Sequence, residues 1–84
     1  MEVTVLTMGE SDVDTPQYIR EACKEAIDCG YTKYADNMGT QELREAIAQK
    51  LRRKNGLDYD HREVMLTTGG VQGMFAFLMA FRNP

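Results

Sequence analysis

The sequence lacks the features that mark a protein for membranes or nucleic acids. No apolar run approaches the ~20 residues that span a bilayer. The N-terminus, MEVTVLTMGE, has neither the basic start nor the apolar core of a secretory signal. The formal net charge is only -3, which favours neither nucleic acid nor an anionic membrane as a partner. We therefore expect a cytoplasmic protein with no nucleic-acid or membrane partner.

Cysteine and histidine are scarce as well, which excludes the common metal and redox sites. Cys23 and Cys29 are six residues apart, a spacing that matches no metal or redox motif, and we interpret both as reduced thiols. His61 is the single histidine and has no cysteine beside it to share a metal. The sequence therefore predicts no metal site.

The first half of the chain predicts an arm followed by a helix. Residues 1–14 are expected to be extended, with a candidate strand at residues 3–6. Thr15 is a suitable N-cap, Pro16 suits the first helical position, and Gly30 suits the position after the last turn. Apolar residues recur between them at helical spacing. This stripe consists of Ile19, Ala22, Cys23, Ala26 and Ile27.

A second amphipathic helix is predicted after the loop YTKYADNMG. Thr40 is its expected N-cap, and the Asn55–Gly56 pair is its expected end, so the two helices occupy residues 15–56. Its apolar stripe is predicted from Leu43, Ala46, Ile47 and Leu51. Its charged face is predicted from Glu42 and from the charged residues between Arg44 and Lys54.

Residues 63–84 predict a strand, a glycine turn and a third helix. Residues 64–67 favour a strand, Gly69 and Gly70 break it, and a helix begins at Val71. This helix is apolar on nearly every face, which is typical of a buried helix. The two narrow stripes upstream cannot cover it, so we expect the chain to be a piece of something larger. As an isolated chain, 1–84 is expected to be one small unit, mainly α, with about three helices and one or two short strands.

The glycine turn has two interpretations. A helix N-terminus that follows a glycine turn presents unpaired N–H groups and a positive dipole end to an anion. The sequence has neither GxGxxG nor GxxxxGK[ST], so the common nucleotide motifs are missing. From these residues alone, a phosphate site and an ordinary turn both remain open.

Three motifs that occur in this order favour the phosphate site over an ordinary turn. They are TMGESDVDTP, GYTKYADNMGTQELREAIAQKLRRKNG and EVMLTTGGVQGM. Together they resemble the N-terminal part of class I and II aminotransferases, and the bacterial-type aspartate aminotransferases most of all. The resemblance covers roughly residues 6–84. It implies an α/β enzyme of fold type I that uses pyridoxal 5′-phosphate, with amino acids and 2-oxo acids as substrates and a homodimer as the assembly.

The resemblance also implies roles for individual residues. Gly69, Gly70 and Val71 match residues that hold the cofactor phosphate at the start of a large-domain helix. Tyr34 matches a tyrosine that reaches the cofactor phosphate of the neighbouring subunit. Gly9 matches a glycine beside the substrate α-carboxylate. The family usually has a proline where this chain has Ser11, a change that loosens the arm around Gly9.

The family's catalytic lysine, which forms a Schiff base with the cofactor, matches no residue of these 84. Nor do the carboxylate for the pyridine nitrogen, the stacking aromatic or the substrate arginine. We therefore expect no catalytic residue here and no transaminase activity from this chain alone. One alternative is a non-catalytic, aminotransferase-derived module that folds or self-associates through its third helix. Another is a fold-type-I lyase or synthase, because the motifs do not separate these reactions or identify the amino donor.

Overall fold

The computed structural model describes residues 1–82, in which three α-helices form the framework. They are α1 (Gln17–Asp28), α2 (Gln41–Lys50) and α3 (Gly69–Phe81). A π turn, Leu51–Asn55, follows α2 directly, and a 3-10 helix, His61–Glu63, precedes α3. The predicted mainly helical class is confirmed. The last two residues of the predicted 63–84 segment lie outside the described residues.

The chain divides into two compact units, Met1–Lys33 and the residues from Tyr34 onward. No helix in the described part of either unit is long and apolar enough to cross a membrane. The first unit consists of the arm and α1. All residues of the arm are exposed, and the candidate strand at residues 3–6 does not form.

Helix α1 begins one residue later than predicted and ends as predicted. Its N-cap is Pro16, with no capping side chain, so the predicted cap by Thr15 is wrong. The Pro16 carbonyl instead accepts from Ile19 N–H at 3.1 Å. At the other end, Gly30 is left-handed at φ 82°, and Tyr31 N–H donates to the Ala26 carbonyl at 3.0 Å. This pairing closes the helix as a Schellman motif, for which glycine is the favoured residue.

In the second unit, both ends of α2 follow local capping chemistry. Thr40 Oγ1 accepts a hydrogen bond from Leu43 N–H at 3.4 Å, which confirms the predicted N-cap. The helix then widens into the π turn and ends at Gly56, which has a φ of 66°. Leu57 N–H donates back to the Leu51 carbonyl at 3.2 Å and closes this end. The predicted stop at Gly56 is confirmed.

The buried face of α2 is rotated by one residue from the predicted stripe. Leu43, predicted to be apolar core, is 47% exposed, whereas Arg44 and Ala48 are 8% and 7% exposed. Arg44 was predicted on the charged outer face, and that prediction is wrong. The rotation arises because α2 packs on the 3-10 helix, whose backbone offers a hydrogen-bond acceptor to a buried guanidinium.

The predicted strand at residues 64–67 is also absent, and no strand occurs within residues 1–82. The backbone is extended at Val64 (φ -113°, ψ 129°), so the local conformation suits a strand. Its pairing is limited, however, to one bond, from Leu66 N–H to the Met38 carbonyl at 3.0 Å. Without a ladder of such bonds the segment remains an extended loop.

Helix α3 begins at Gly69 rather than Val71, so both glycines belong to its first turn. Its apolar side chains stay exposed: Val71 is 83% exposed, Phe75 64% and Leu78 64%. Only the small residues Gly73 and Ala76 are partly covered. A helix of this composition is typically buried in a protein interior. The described residues do not form such an interior around α3.

Candidate functional site

The glycine turn at the start of α3 depends on a left-handed residue. Gly69 has a φ of 77°, a conformation that side chains with a Cβ rarely adopt. Its N–H donates to the Thr67 carbonyl at 2.9 Å, and its carbonyl accepts from Thr67 Oγ1 at 3.0 Å. Thr67 therefore holds Gly69 from both sides. This arrangement fixes the angle at which the chain enters α3.

The turn leaves two backbone donors open at the start of the helix. Thr68 N–H donates to the side-chain oxygen of Gln72, which closes the turn from inside the helix. Within residues 1–82, the N–H groups of Gly70 and Val71 donate to no acceptor outside the helix. They lie in the first turn, where the helix itself offers no acceptor.

The space beside these donors is open. A Cβ built on Gly69 or Gly70 would meet no atom within 4 Å. An oxyanion can therefore approach the backbone closely, and the positive end of the α3 dipole favours negative charge there. The residues present thus fit a phosphate group, with Gly70 and Val71 as donors and Gly69 as the residue that shapes the approach.

Tyr34 does not lie against this turn, and Gly9 belongs to the other unit of the chain. Tyr34 is in the same unit, but its side chain is fully exposed, so it does not pack against the glycine turn within the described residues. Gly9 lies in the exposed arm of the first unit, where a Cβ would meet no atom within 4 Å. Their assigned roles remain predictions.

The sequence reasoning missed an open, polar cleft in the second unit. The cleft has a volume of about 250 Å³ and lies between α2 and the residues before the 3-10 helix. Its lining residues are Glu45, Ala48, Gln49, Arg52, Tyr59, Asp60 and His61. His61 Nδ1 lies 3.5 Å from Asp60 Oδ1. The acidic and basic groups are mixed, so the cleft has no charge preference that would identify a ligand.

Asp60 belongs to a strong local network at the edge of this cleft. Its Oδ1 accepts from Arg62 Nε at 2.7 Å and from Arg62 N–H at 2.9 Å. Its own N–H donates to Glu63 Oε2 at 2.8 Å, which completes a capping box on the 3-10 helix. The Arg62 side-chain bond is the main reason that the pKa of Asp60 falls from 3.8 to about 2. The pairing caps the 3-10 helix.

Comparison with known proteins identifies the family to which this helical chain belongs. The family model for aminotransferase class I and II matches residues 1–84. The aspartate/prephenate aminotransferase of Thermus thermophilus is 44% identical over all 84 residues. The aspartate aminotransferase of Pyrococcus abyssi is 47% identical over 81 residues, which is 95% of this chain and 21% of that protein.

The solved structures agree with the sequence comparison. A mutant of Thermus thermophilus aspartate aminotransferase superimposes with a TM-score of 0.88 at 47% identity, covering 94% of this chain and 22% of that structure. The chain belongs to the class I and II aminotransferase family. It spans 22% of the length of the Thermus relative. The resemblance inferred from the three motifs is confirmed.

Proposed function

We propose that this chain is part of a pyridoxal 5′-phosphate-dependent aminotransferase, which transfers an amino group between an amino acid and a 2-oxo acid. Family membership supports the reaction class. The observation that carries the cofactor assignment is the pair of open N–H donors on Gly70 and Val71. When bound, the cofactor supplies an electron sink for charge that develops on the substrate. Residues 63–84 would begin the large, cofactor-binding domain.

In this proposal each site residue has a defined task. Gly70 and Val71 donate backbone hydrogen bonds to the phosphate, and Gly69 provides the left-handed turn that aims them. Tyr34 donates its phenolic O–H to the phosphate of a neighbouring subunit in a homodimer, and its full exposure supports this role. Gly9 lies beside the substrate carboxylate, where its lack of a side chain permits close approach.

The four lysines of the chain are not assigned to catalysis. Lys50 Nζ donates to Asn55 Oδ1 at 2.8 Å, and the other three, Lys24, Lys33 and Lys54, are also exposed. A transaminase needs a lysine that bonds covalently to the cofactor and moves a proton. We therefore predict no turnover by these 84 residues. The test is a steady-state assay with several amino-acid and 2-oxo-acid pairs, and turnover above free cofactor would refute the prediction.

The cofactor role is tested by an amide NMR titration of the chain with pyridoxal 5′-phosphate. Pyridoxal without the phosphate is the matched control, because both aldehydes react with amines but only one carries the anion. We expect phosphate-specific shifts at Gly69, Gly70 and Val71. Equal shifts with both ligands would refute the assignment.

The variant Gly70→Ala refines this titration. Gly70 does not have a left-handed backbone, and beyond its chain neighbours and its own helix backbone an added Cβ would meet no atom within 4 Å, so the substitution spares the fold. It should weaken the phosphate-specific shifts, because the new methyl group occupies the space through which the phosphate approaches. An unchanged titration would mean that the ligand does not approach Gly70.

A second candidate function is a non-catalytic module that self-associates through α3. The exposed apolar residues of this helix, including Phe77 at 62% and Phe81 at 74%, favour it. Large exposed apolar patches mark interaction surfaces or aggregation sites. Sedimentation velocity across a hundredfold range of concentration separates the two. A chain that stays monomeric throughout would exclude the module.

The relatives are named for different amino-acid substrates. The matched names include aspartate, aspartate/prephenate and aromatic-amino-acid aminotransferases. The alternative is a lyase or synthase reaction of a fold-type-I enzyme, carried out by the longer protein of which we propose this chain to be a part. We propose a cytoplasmic protein, supported by two free, exposed thiols at Cys23 and Cys29.

A further inference from the structure

The most buried charged side chain of the described residues is Arg44 on α2, at 8% exposure. Its guanidinium makes three contacts, with residues 36–39 and with the 3-10 helix of the second unit. Nε donates to the Gly39 carbonyl at 3.1 Å, and Nη1 donates to the His61 carbonyl at 3.5 Å. Nη2 lies 3.7 Å from Asp36 Oδ2. A buried guanidinium is stable only when its donors are used in this way.

Two of these contacts hold a tight turn at residues 36–39, which we call the 36–39 turn. Gly39 N–H donates to the Asp36 carbonyl at 2.8 Å, and Met38 N–H donates to Asp36 Oδ1 at 3.1 Å. The Asp36 carboxylate therefore closes the turn with one oxygen and faces Arg44 with the other. The turn and the guanidinium form one connected network.

The opposite side of the 36–39 turn contacts the segment that leads into the glycine turn. Leu66 N–H donates to the Met38 carbonyl at 3.0 Å. At Gly39, a Cβ would lie only 2.7 Å from Leu66 Cγ, so the Leu66 side chain packs against the Gly39 backbone where only glycine leaves room for it. Leu66 is followed at once by Thr67, which holds Gly69 from both sides.

We propose that Arg44 is a positioning residue for the phosphate site. Through the 36–39 turn, Arg44 fixes the segment that enters the glycine turn. It also fixes the loop that carries Tyr34, which lies two residues before Asp36. This inference rests on the proposed function, because it assigns Arg44 the task of holding two parts of the same site. Lysine cannot replace it, because one ammonium cannot match a planar fork that reaches three acceptors.

The proposal is tested with the variant Arg44→Lys in the same chain. Arg53→Lys is the matched control, because Arg53 is an exposed arginine just beyond α2. The first measurement is amide hydrogen exchange at Leu66, with the amides of α1 as an internal reference. The second is the pyridoxal 5′-phosphate titration read at Gly70 and Val71.

We expect Arg44→Lys to lower the protection of the Leu66 amide by about tenfold, equivalent to ~1.4 kcal/mol. The α1 amides and the far-ultraviolet circular dichroism should be unchanged. The phosphate-specific shifts at Gly70 and Val71 should shrink in Arg44→Lys and persist in Arg53→Lys. Protection at Leu66 that matches the control would overturn the proposal, and so would a wild-type Leu66 amide that exchanges like an unstructured peptide.

A second variant covers the case in which Arg44→Lys unfolds the chain. Asp36→Asn keeps the guanidinium and removes only the charge that faces it. We expect a smaller loss of protection at Leu66 and none in α1. Uniform loss at all amides in both variants would refute a positioning role. Coupling between Arg44 and Leu66 without any phosphate-specific shift in the wild type would refute the cofactor role and leave the positional link standing.

Discussion

Substitution of Gly39 by alanine should be the most damaging single methyl addition in the second unit. Gly39 has a φ of 92°, and a left-handed backbone costs an alanine roughly 1–2 kcal/mol. The added Cβ would also lie 2.7 Å from Leu66 Cγ and 2.9 Å from Leu66 Cβ, far inside van der Waals contact. Overpacking of this kind costs about 1–3 kcal/mol.

The two contributions are separated by a control at Gly56. This glycine is also left-handed, with a φ of 66°, but a Cβ there would meet no atom within 4 Å. Gly56→Ala should therefore show the backbone cost alone, whereas Gly39→Ala should lose about 2–5 kcal/mol in all. Urea unfolding followed by circular dichroism at 222 nm measures both free energies of unfolding.

The steric part is tested by a double-mutant cycle with Leu66→Ala. Truncation of Leu66 removes the atoms that the new methyl group would meet, so Gly39→Ala should cost less in that background than in the wild type. Equal free energies of unfolding for Gly39→Ala and Gly56→Ala, within ~0.5 kcal/mol, would refute the close approach of Gly39 and Leu66.

Two further changes test the local caps. Thr40→Ala should lose about 0.5–1 kcal/mol of stability, because Leu43 N–H loses its acceptor, and Thr40→Ser should restore most of it; urea unfolding measures both, and equal stability of all three chains would contradict the cap. Asp60 has a pKa of about 2 in the folded chain, below its usual 3.8, so its contribution to stability is present above about pH 4 and is lost as the pH falls through 2. An NMR titration of the Asp60 carboxyl carbon with a midpoint near 3.8 would contradict this, and Asp60→Asn should remove the acid-dependent step.

The helix ends were predictable because their signals are local. Thr40, Gly30 and Gly56 each act on backbone groups within a few residues of themselves, so the printed sequence contains the whole interaction. The predicted cap by Thr15 is wrong, and the reason is equally local. Pro16 took the capping position with its carbonyl, and no side-chain acceptor was used.

The burial of Arg44 was not predictable from periodicity. A charged residue between Leu43 and Glu45 suits the outer face of an amphipathic helix, and its acceptor on His61 is 17 residues away. The strand at residues 64–67 failed because a strand needs a partner ladder, and Leu66 finds one carbonyl only. Both outcomes depend on hydrogen-bond acceptors that are distant in the sequence, the His61 carbonyl for Arg44 and the Met38 carbonyl for Leu66.

Of the candidate site, only the features that depend on neighbouring residues could be predicted from the sequence pattern. The left-handed turn at Gly69 is local, and its glycine pair predicts it directly. The open donors on Gly70 and Val71 follow from where α3 begins. The roles of Tyr34 and Gly9 came only from the resemblance, since an exposed tyrosine and an exposed glycine carry no physical signal of a distant ligand.

The π turn at Leu51–Asn55 is the position at which this part of the chain can lose one residue without a shift in the helix upstream. Each of its hydrogen-bonded rings encloses one more residue than an α turn does, so it is equivalent to a one-residue insertion. Deletion of one residue here would convert the turn to regular α-helix and leave the Thr40 cap and the Arg44 contacts upstream in register. A deletion within α2 would instead move Arg44 off the face it shares with Ala48. Shorter relatives should therefore have their gap in the π turn.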